Sequence, residues 1–223
     1  MRALDVFVTG GTGYMGSRLI PALAARGHRV TAFIRPGSEH KLPVGTPVAI
    51  GDVLSRTSIA DAMPANAIVV HLVGTPRPSP RKAAHFEAFD FVAARECIAA
   101  ARDAGARRIV YVSVAQPAPV MRAYVDVRRR VELLLRQSGV AHTVLRPWYV
   151  LGPGHRWPYM LVPMYWALGA FPPTREGARR LGLVTLPQMV TALVRAVETA
   201  GDSPIVFDVP EIRRSARHAK TTA

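Results

Sequence analysis

The chain has 223 residues, 49% hydrophobic and 20% charged, which excludes global disorder and gives enough apolar side chains for one well-buried α/β unit. Its formal net charge of +14 raises nucleic acid or an anionic surface as partners, but the excess is almost all arginine, with lysine only at Lys41, Lys82 and Lys220, and it is scattered rather than blocked. No nucleic-acid partner is expected, and small phosphorylated ligands suit the charge better.

The chain opens with LDVFVTG, a short apolar run ending in glycine, and then a helical pattern over 14–26 with Met15, Leu19, Ile20 and Leu23 at helix spacing. HRVTAFIR follows as a β-branched, aromatic-rich strand, which completes a βαβ unit with parallel strands. TPVAIGD reads as a strand, SRTSIADAM as a short helix with Ser55 as N-cap, and AIVVHLVG as a buried strand. A long helix is predicted over 81–104, then the strand ARRIVYVSV, a helix over 124–138 and the strand VAHTVLRP. The alternation breaks in a Pro- and Gly-rich stretch over 148–182, after which LPQMVTALVRAVETA restores a helix and PIVFDV adds a last strand. Strands alternating with helices predict a doubly wound parallel sheet, a Rossmann fold, as one unit over 1–210 with substrate-side elements within 148–185. Residues 211–223 read as a flexible basic tail.

Cys97 is alone, so no disulfide forms within the chain, which suits a reducing cytoplasm. MRALDVFVTGG carries a charge at position 5 and glycines by position 10, and so lacks the uninterrupted apolar stretch of an export signal. No spacing of His, Cys, Asp or Glu suggests a metal site.

The turn TGGTGYMG lies after a strand and before a helix, where a glycine-rich backbone lets a pyrophosphate approach free N–H groups and the positive end of the helix dipole. Gly11, Gly13 and Gly16 satisfy G-x-G-x-x-G inside a βαβ unit, the context a dinucleotide site requires. Gly10, Thr12, Tyr14 and Met15 complete the candidate phosphate loop.

TGGTGYMG, GDV at 51–53, HLVG at 71–74, YVSV at 111–114, Tyr124-x-x-x-Arg128 and LRP at 145–147 together resemble the atypical branch of the short-chain dehydrogenase/reductase superfamily, over almost the whole chain. RPWYVLGPGHR is similar to a turn of its extended, NmrA-like and respiratory complex I accessory-subunit members. The resemblance implies a nicotinamide coenzyme. Arg35, at the end of the second strand, offers a charged fork to a 2′-phosphate, which favours NADP, with NAD as the alternative. Asp52 and Val53 match an adenine contact; Leu72, Val73 and Gly74 match the segment beside the adenine ribose; Pro147, Tyr149 and Val150 match residues flanking the nicotinamide.

The resemblance also implies Tyr124 as proton donor or acceptor, Ser113 as its helper, and Arg128 as a coenzyme ribose contact at the position where relatives carry lysine. A phenol ordinarily titrates near 10, so a close cation is what makes it useful near neutrality. Arginine keeps the charge but not the compact shape of an ammonium. Arg129 and Arg130 fall on other helix faces, solvated or paired with acids such as Glu132. His71 and His142 read as core or strand-end histidines.

Residues 148–171 hold all three tryptophans (Trp148, Trp157, Trp166), Tyr149, Tyr159 and Tyr165, and Met160 and Met164. Such a wall suits an apolar or aromatic substrate, and the resemblance to the complex I accessory subunit implies one that is quinone-like or isoprenoid. Two other readings stay open: a non-catalytic NAD(P)H-binding redox sensor or accessory protein, and a peripheral membrane-surface or protein contact through 157–171. The residues are silent on oligomeric state.

Overall fold

A computed structural model describes residues 3–117, 121–153, 181–201 and 203–221. Seven parallel strands, β1 (Asp5–Thr9), β2 (Arg29–Ile34), β3 (Val48–Ile50), β4 (Ile68–His71), β5 (Arg108–Val112), β6 (His142–Arg146) and β9 (Ile205–Asp208), make one sheet in the order β3-β2-β1-β4-β5-β6-β9. A separate parallel pair joins β7 (Tyr149–Leu151) to β8 (Leu183–Thr185). The doubly wound parallel sheet expected from the alternating pattern is the fold observed.

Alternation along each strand sends side chains to two cores. Val6, Val8, Val30, Ala32 and Val70 pack with Leu19, Ile20 and Leu23 of α1 (Gly16–Ala24) and with Met189, Leu193 and Val197 of α5 (Leu186–Glu198). Phe7, Phe33, Val69, Ile109 and Tyr111 face the other way, onto α2 (Arg56–Ala62), α3 (Val92–Asp103) and α4 (Arg122–Gln137) through Ile59, Cys97, Ala101, Val131 and Leu135. Each fully buried large side chain contributes about 1.5–3 kcal/mol, so both faces are needed. Cys97 sits in this second core, where burial pushes its thiol up to about 12 and leaves it chemically inert.

The cap expected at Ser55 forms, its side chain accepting from the Ser58 N–H at the start of α2, and Thr185 with Gln188 adds a reciprocal capping box at the start of α5.

Two segments differ from the sequence reading. The helix predicted over 81–104 is composite: a 3-10 turn at Pro80–Lys82 and an α turn at Ala83–His85 lead into a π-helix at Phe86–Phe91 before α3. The wide turn carries Phe86 and the Asp90 carboxylate inward, both buried. Residues 211–221, part of the stretch expected to fray, belong instead to α6 (Val209–Thr221), because Val209 and Ile212 bury completely against the first core and Arg195 of α5 donates to Ser215 Oγ at 3.2 Å.

The chain runs outward from β1 to β3 and returns to β4, so the strand order reverses between β1 and β4. Ligands of such sheets bind beyond the strand carboxyl ends at that reversal.

Candidate active site

At the reversal the turn after β1 meets the turn after β4. Gly10 sits at φ +76, and a side chain there would put Cβ 2.8 Å from the Leu72 carbonyl carbon and 2.9 Å from the Val73 nitrogen. Glycine is needed for both conformation and space. Gly16, the first residue of α1, backs onto the same turn: its Cβ would lie 2.5 Å from Gly10 O and 2.6 Å from Gly11 Cα. Gly13 differs, since its Cβ would meet only Gly10 O, at 3.1 Å. Gly16→Ala is expected to push the loop off the helix start and weaken NAD(P)H binding by at least about tenfold, measured by calorimetry beside a circular-dichroism check of folding.

Tyr14, in the same turn, carries its phenol across to Gly152, against which it packs directly. Met15 packs on the first core and accepts the Leu19 N–H at 2.9 Å, while Thr12 lies between Gly11 and Gly13. At the end of β2, Arg35 Nε donates to Ser38 Oγ at 3.4 Å; Arg35 is exposed and Ser38 buried. Asp52 is exposed and accepts the Leu54 N–H at 2.9 Å, and Val53 packs on the second core.

The turn after β4 is tied to α4 by charge. Arg128 and Asp90 form an ion pair at 2.9 Å, with side chains 5% and 0% exposed. Asp90 Oδ2 accepts from Arg128 Nη2, while Oδ1 accepts both the backbone N–H (2.9 Å) and the hydroxyl (2.6 Å) of Thr75. Arg128 Nη1 donates to the Tyr111 hydroxyl at 2.9 Å. The guanidinium lies over the Tyr124 ring, 4.9 Å from its centroid, and Phe86 meets that ring edge-on at 5.2 Å. A Cβ on Gly74 would stand 2.7 Å from Arg128 Nη2, so glycine there admits the guanidinium under the turn. Burial works against the Arg128 charge, and the pull of Tyr111, Tyr124 and Asp90 outweighs it, leaving the group firmly protonated. Burial also pushes the Tyr111 phenol up to about 12, against Arg128.

Below this cluster His71 is buried, with Nδ1 2.9 Å from Thr9 Oγ1 and its ring stacked on Tyr111 at 6.1 Å. Burial, with Arg128 nearby, pushes its pKa down to about 3, so the imidazole is neutral at working pH.

Tyr124 and Arg128, paired on the sequence by their spacing, are thus brought together. Ser113 Oγ donates to Glu132 Oε1 at 2.6 Å, one helical turn beyond Arg128. Glu132, offered from the sequence only as a partner for Arg129 or Arg130, is itself buried and also accepts from Gln116 (2.9 Å) and from Arg146 through Nη2 (2.5 Å) and Nε (3.1 Å). Arg129 bonds Gln116, and Arg130 pairs with Glu87 over the Phe91 ring. On the substrate side Pro147 O accepts the Ala115 N–H at 2.9 Å, Val150 packs on the first core, and Tyr149 meets Trp148 edge-on at 5.2 Å. Burial pushes the Tyr149 phenol up. Trp157, Trp166, Tyr159, Tyr165, Met160 and Met164 lie outside the described residues. Among the described residues no group of three or more His, Cys, Asp or Glu is arranged to hold a metal, and no helix is long and apolar enough to cross a membrane.

A family model described as NAD(P)H-binding matches residues 10–156, from the phosphate loop to just past β7. The chain belongs to the NAD(P)H-binding family. Its likeness to the short-chain dehydrogenase/reductases, drawn from motifs, agrees with that membership. Among relatives of this NAD(P)H-binding protein, a 3-diazoavenalumate denitrifying reductase of a Streptomyces species is 34% identical over 177 residues, 68% of this chain and 58% of the relative. A ceramide reductase of Caulobacter vibrioides is 30% identical over 154 residues, 67% and 47% of the two chains. A 4-hydroxy-2-methyl-3-oxo-4-farnesyl-3,4-dihydroquinoline-1-oxide ketoreductase of Stigmatella aurantiaca is 27% identical over 171 residues, 67% and 51%. The chain spans about half the length of the curated relatives it matches. In fold it is similar to the UDP-N-acetylglucosamine 4-epimerase of Bacillus cereus, with a TM-score of 0.68 at 16% identity over 95% of this chain and 82% of that one. It is equally similar to the Bordetella bronchiseptica enzyme WbmH solved with NAD+, with a TM-score of 0.68 at 20% identity over 99% and 83%.

Proposed function

We propose that the chain is an NADP(H)-dependent reductase of an apolar carbonyl or quinone-like compound. The observation that carries the reading is the Tyr124 ring held between the Arg128 guanidinium and Phe86, beside the Gly74 turn and at the end of the sheet where the glycine loop opens. Bound NADPH supplies hydride; the chain's residues hold the coenzyme and manage the proton. The loop from Gly10 to Gly16 takes the diphosphate, Asp52 and Val53 flank the adenine, and Leu72, Val73 and Gly74 line the coenzyme's path. Tyr124 gives a proton to the substrate oxygen, and Arg128 keeps a fixed positive charge against its ring. Pro147, Tyr149 and Val150 close the nicotinamide side. Ser113 acts at one remove: its bond to Glu132 fixes α4 against β5. Relatives named as reductases of ceramide and of a farnesylated quinoline oxide support an apolar substrate.

Arg35 beside Ser38 supports NADP over NAD, since a guanidinium fork and a hydroxyl together suit a phosphate. Arg35→Asp is expected to weaken NADPH binding by about two orders of magnitude and NADH binding severalfold at most, because a charge reversal acts on the 2′-phosphate that NADH lacks. Calorimetry with both coenzymes checks it; equal losses remove the preference.

A second reading, a coenzyme-binding redox sensor, is favoured by the carboxylate held on Arg128, which restrains the cation next to the candidate acid. NADPH oxidation against a panel of aromatic ketones, isoprenoid aldehydes and quinones separates the two. Turnover supports the reductase. Tight NADPH binding without turnover, accompanied by a partner whose affinity follows the nicotinamide redox state, supports the sensor.

A further inference from the structure

Asp90 belongs to none of the sequence motifs, yet it is the most heavily used carboxylate beside Tyr124. One oxygen takes two bonds from Thr75 and the other takes Arg128 Nη2. Three separate pieces of chain meet on it: the turn after β4, the π-helix at Phe86–Phe91, and α4. Gly74 completes the fit, since a side chain there would stand 2.7 Å from Arg128 Nη2 and 3.5 Å from Asp90 Oδ2. A buried guanidinium has several rotamers and strong donors on three nitrogens, so its direction is set by whichever acceptors are fixed around it. Here Asp90 and Tyr111 are the nearest of those acceptors, with Val112 O also taking Nη1 at 3.5 Å, and Arg128 Nε, buried and without a hydrogen-bond partner, is left with donor capacity in hand.

We propose that Asp90 is a positioning residue for Arg128, clamping the guanidinium to the Gly74–Thr75 turn so that its face stays on Tyr124 and its charge stays at the coenzyme site. The inference rests on the reading of this site as a coenzyme site. Asp90 does not touch the ligand; it acts through Arg128. A compact ammonium in place of the guanidinium would collapse onto the carboxylate, because it cannot span Asp90 and Tyr111 in the same plane. The carboxylate that serves arginine would therefore work against lysine.

The test is a double-mutant cycle in NADPH affinity, by calorimetry, on the wild type, Asp90→Asn, Arg128→Lys and the double variant. Asp90→Asn and Arg128→Lys are each expected to weaken NADPH by about tenfold, and adding Asp90→Asn to Arg128→Lys is expected to recover about fivefold, as coupled neighbours do. Residues acting separately would instead multiply their losses. If Asp90→Asn alone does not fold, the comparison of Arg128→Lys with the double variant still decides. Asp90→Asn within about twofold of wild type, a lowered melting temperature at unchanged affinity, or losses that simply multiply would each overturn the proposal. A wild type that binds no NADPH sinks the coenzyme reading; a wild type that binds, with independent losses, sinks only the role of Asp90.

Discussion

Tyr124→Phe is expected to lower NADPH-dependent reduction by about 10²–10⁴-fold, the usual worth of a placed general acid, while NADPH affinity stays within about threefold. The ring's contacts to Phe86 and Arg128 do not need the hydroxyl, so packing and cation contact survive in the variant. No hydrogen bond to the Tyr124 hydroxyl forms within the described residues, which leaves it available to a substrate oxygen. Tyr111, the other phenol of the cluster, is a poor substitute: burial holds it up near 12 and its oxygen already accepts from Arg128. Initial rates of NADPH oxidation beside calorimetric affinities make the check. A rate that survives the substitution would assign the proton to another group or favour the sensor.

The second large effect is on stability against acid. His71 stays neutral in the fold with its pKa pushed down to about 3, whereas in the unfolded chain it titrates near its ordinary 6.5. Below 6.5 the unfolded state takes up a proton that the folded state refuses, so stability is fully present above about 6.5 and is lost as pH falls toward 3. The slope is at most about 1.4 kcal/mol per pH unit, which gives a loss of about 2–3 kcal/mol by pH 4.5. That is a large share of the roughly 5–15 kcal/mol that domains possess. Asp5 and Asp103, held below their ordinary values by Arg29 and Arg56, lose their contributions only as pH falls through the carboxylate range, and comparison with a His71 variant separates the share of this imidazole from every other group. Urea unfolding at pH 7.0 and 4.5 should show a smaller drop for His71→Asn than for the wild type. Equal drops would place the acid sensitivity elsewhere.

The sheet and most helix spans were legible because each uses a local period: β-branched runs for the strands, and Leu19, Ile20 and Leu23 or Met189, Leu193 and Val197 at helix spacing. The glycine turn was legible because its spacing and its place between a strand and a helix are both local, although the need for glycine at Gly10 comes from Leu72 and Val73 on another turn. What stayed hidden was decided between distant segments. A π-turn keeps helical periodicity closely enough that FEAFDF passes for ordinary helix, and nothing in that stretch says its aspartate meets an arginine 38 residues on. The available signal was an acid flanked by two phenylalanines, a setting in which a carboxylate is buried only if paired. The partners of Glu132 were hidden for the same reason: Ser113, Gln116 and Arg146, all from other elements, meet it in the interior. The family pattern pointed to Ser113, but its direction depends on that carboxylate. The terminal helix was missed because its polar, arginine-rich letters outnumber the few apolar ones that anchor it.

That terminal helix reaches further than its position suggests. Arg213 grips the Leu183 carbonyl with two nitrogens, at 3.0 and 2.6 Å; Leu183 lies opposite Tyr149 in the small two-stranded ribbon, and Tyr149 is among the residues proposed above to close the nicotinamide side. A lever thus runs from the last helix to Tyr149 without crossing the main sheet. Trimming the chain ahead of Arg213 would remove that grip together with the Arg195–Ser215 bond, so the small ribbon and α5 would loosen together.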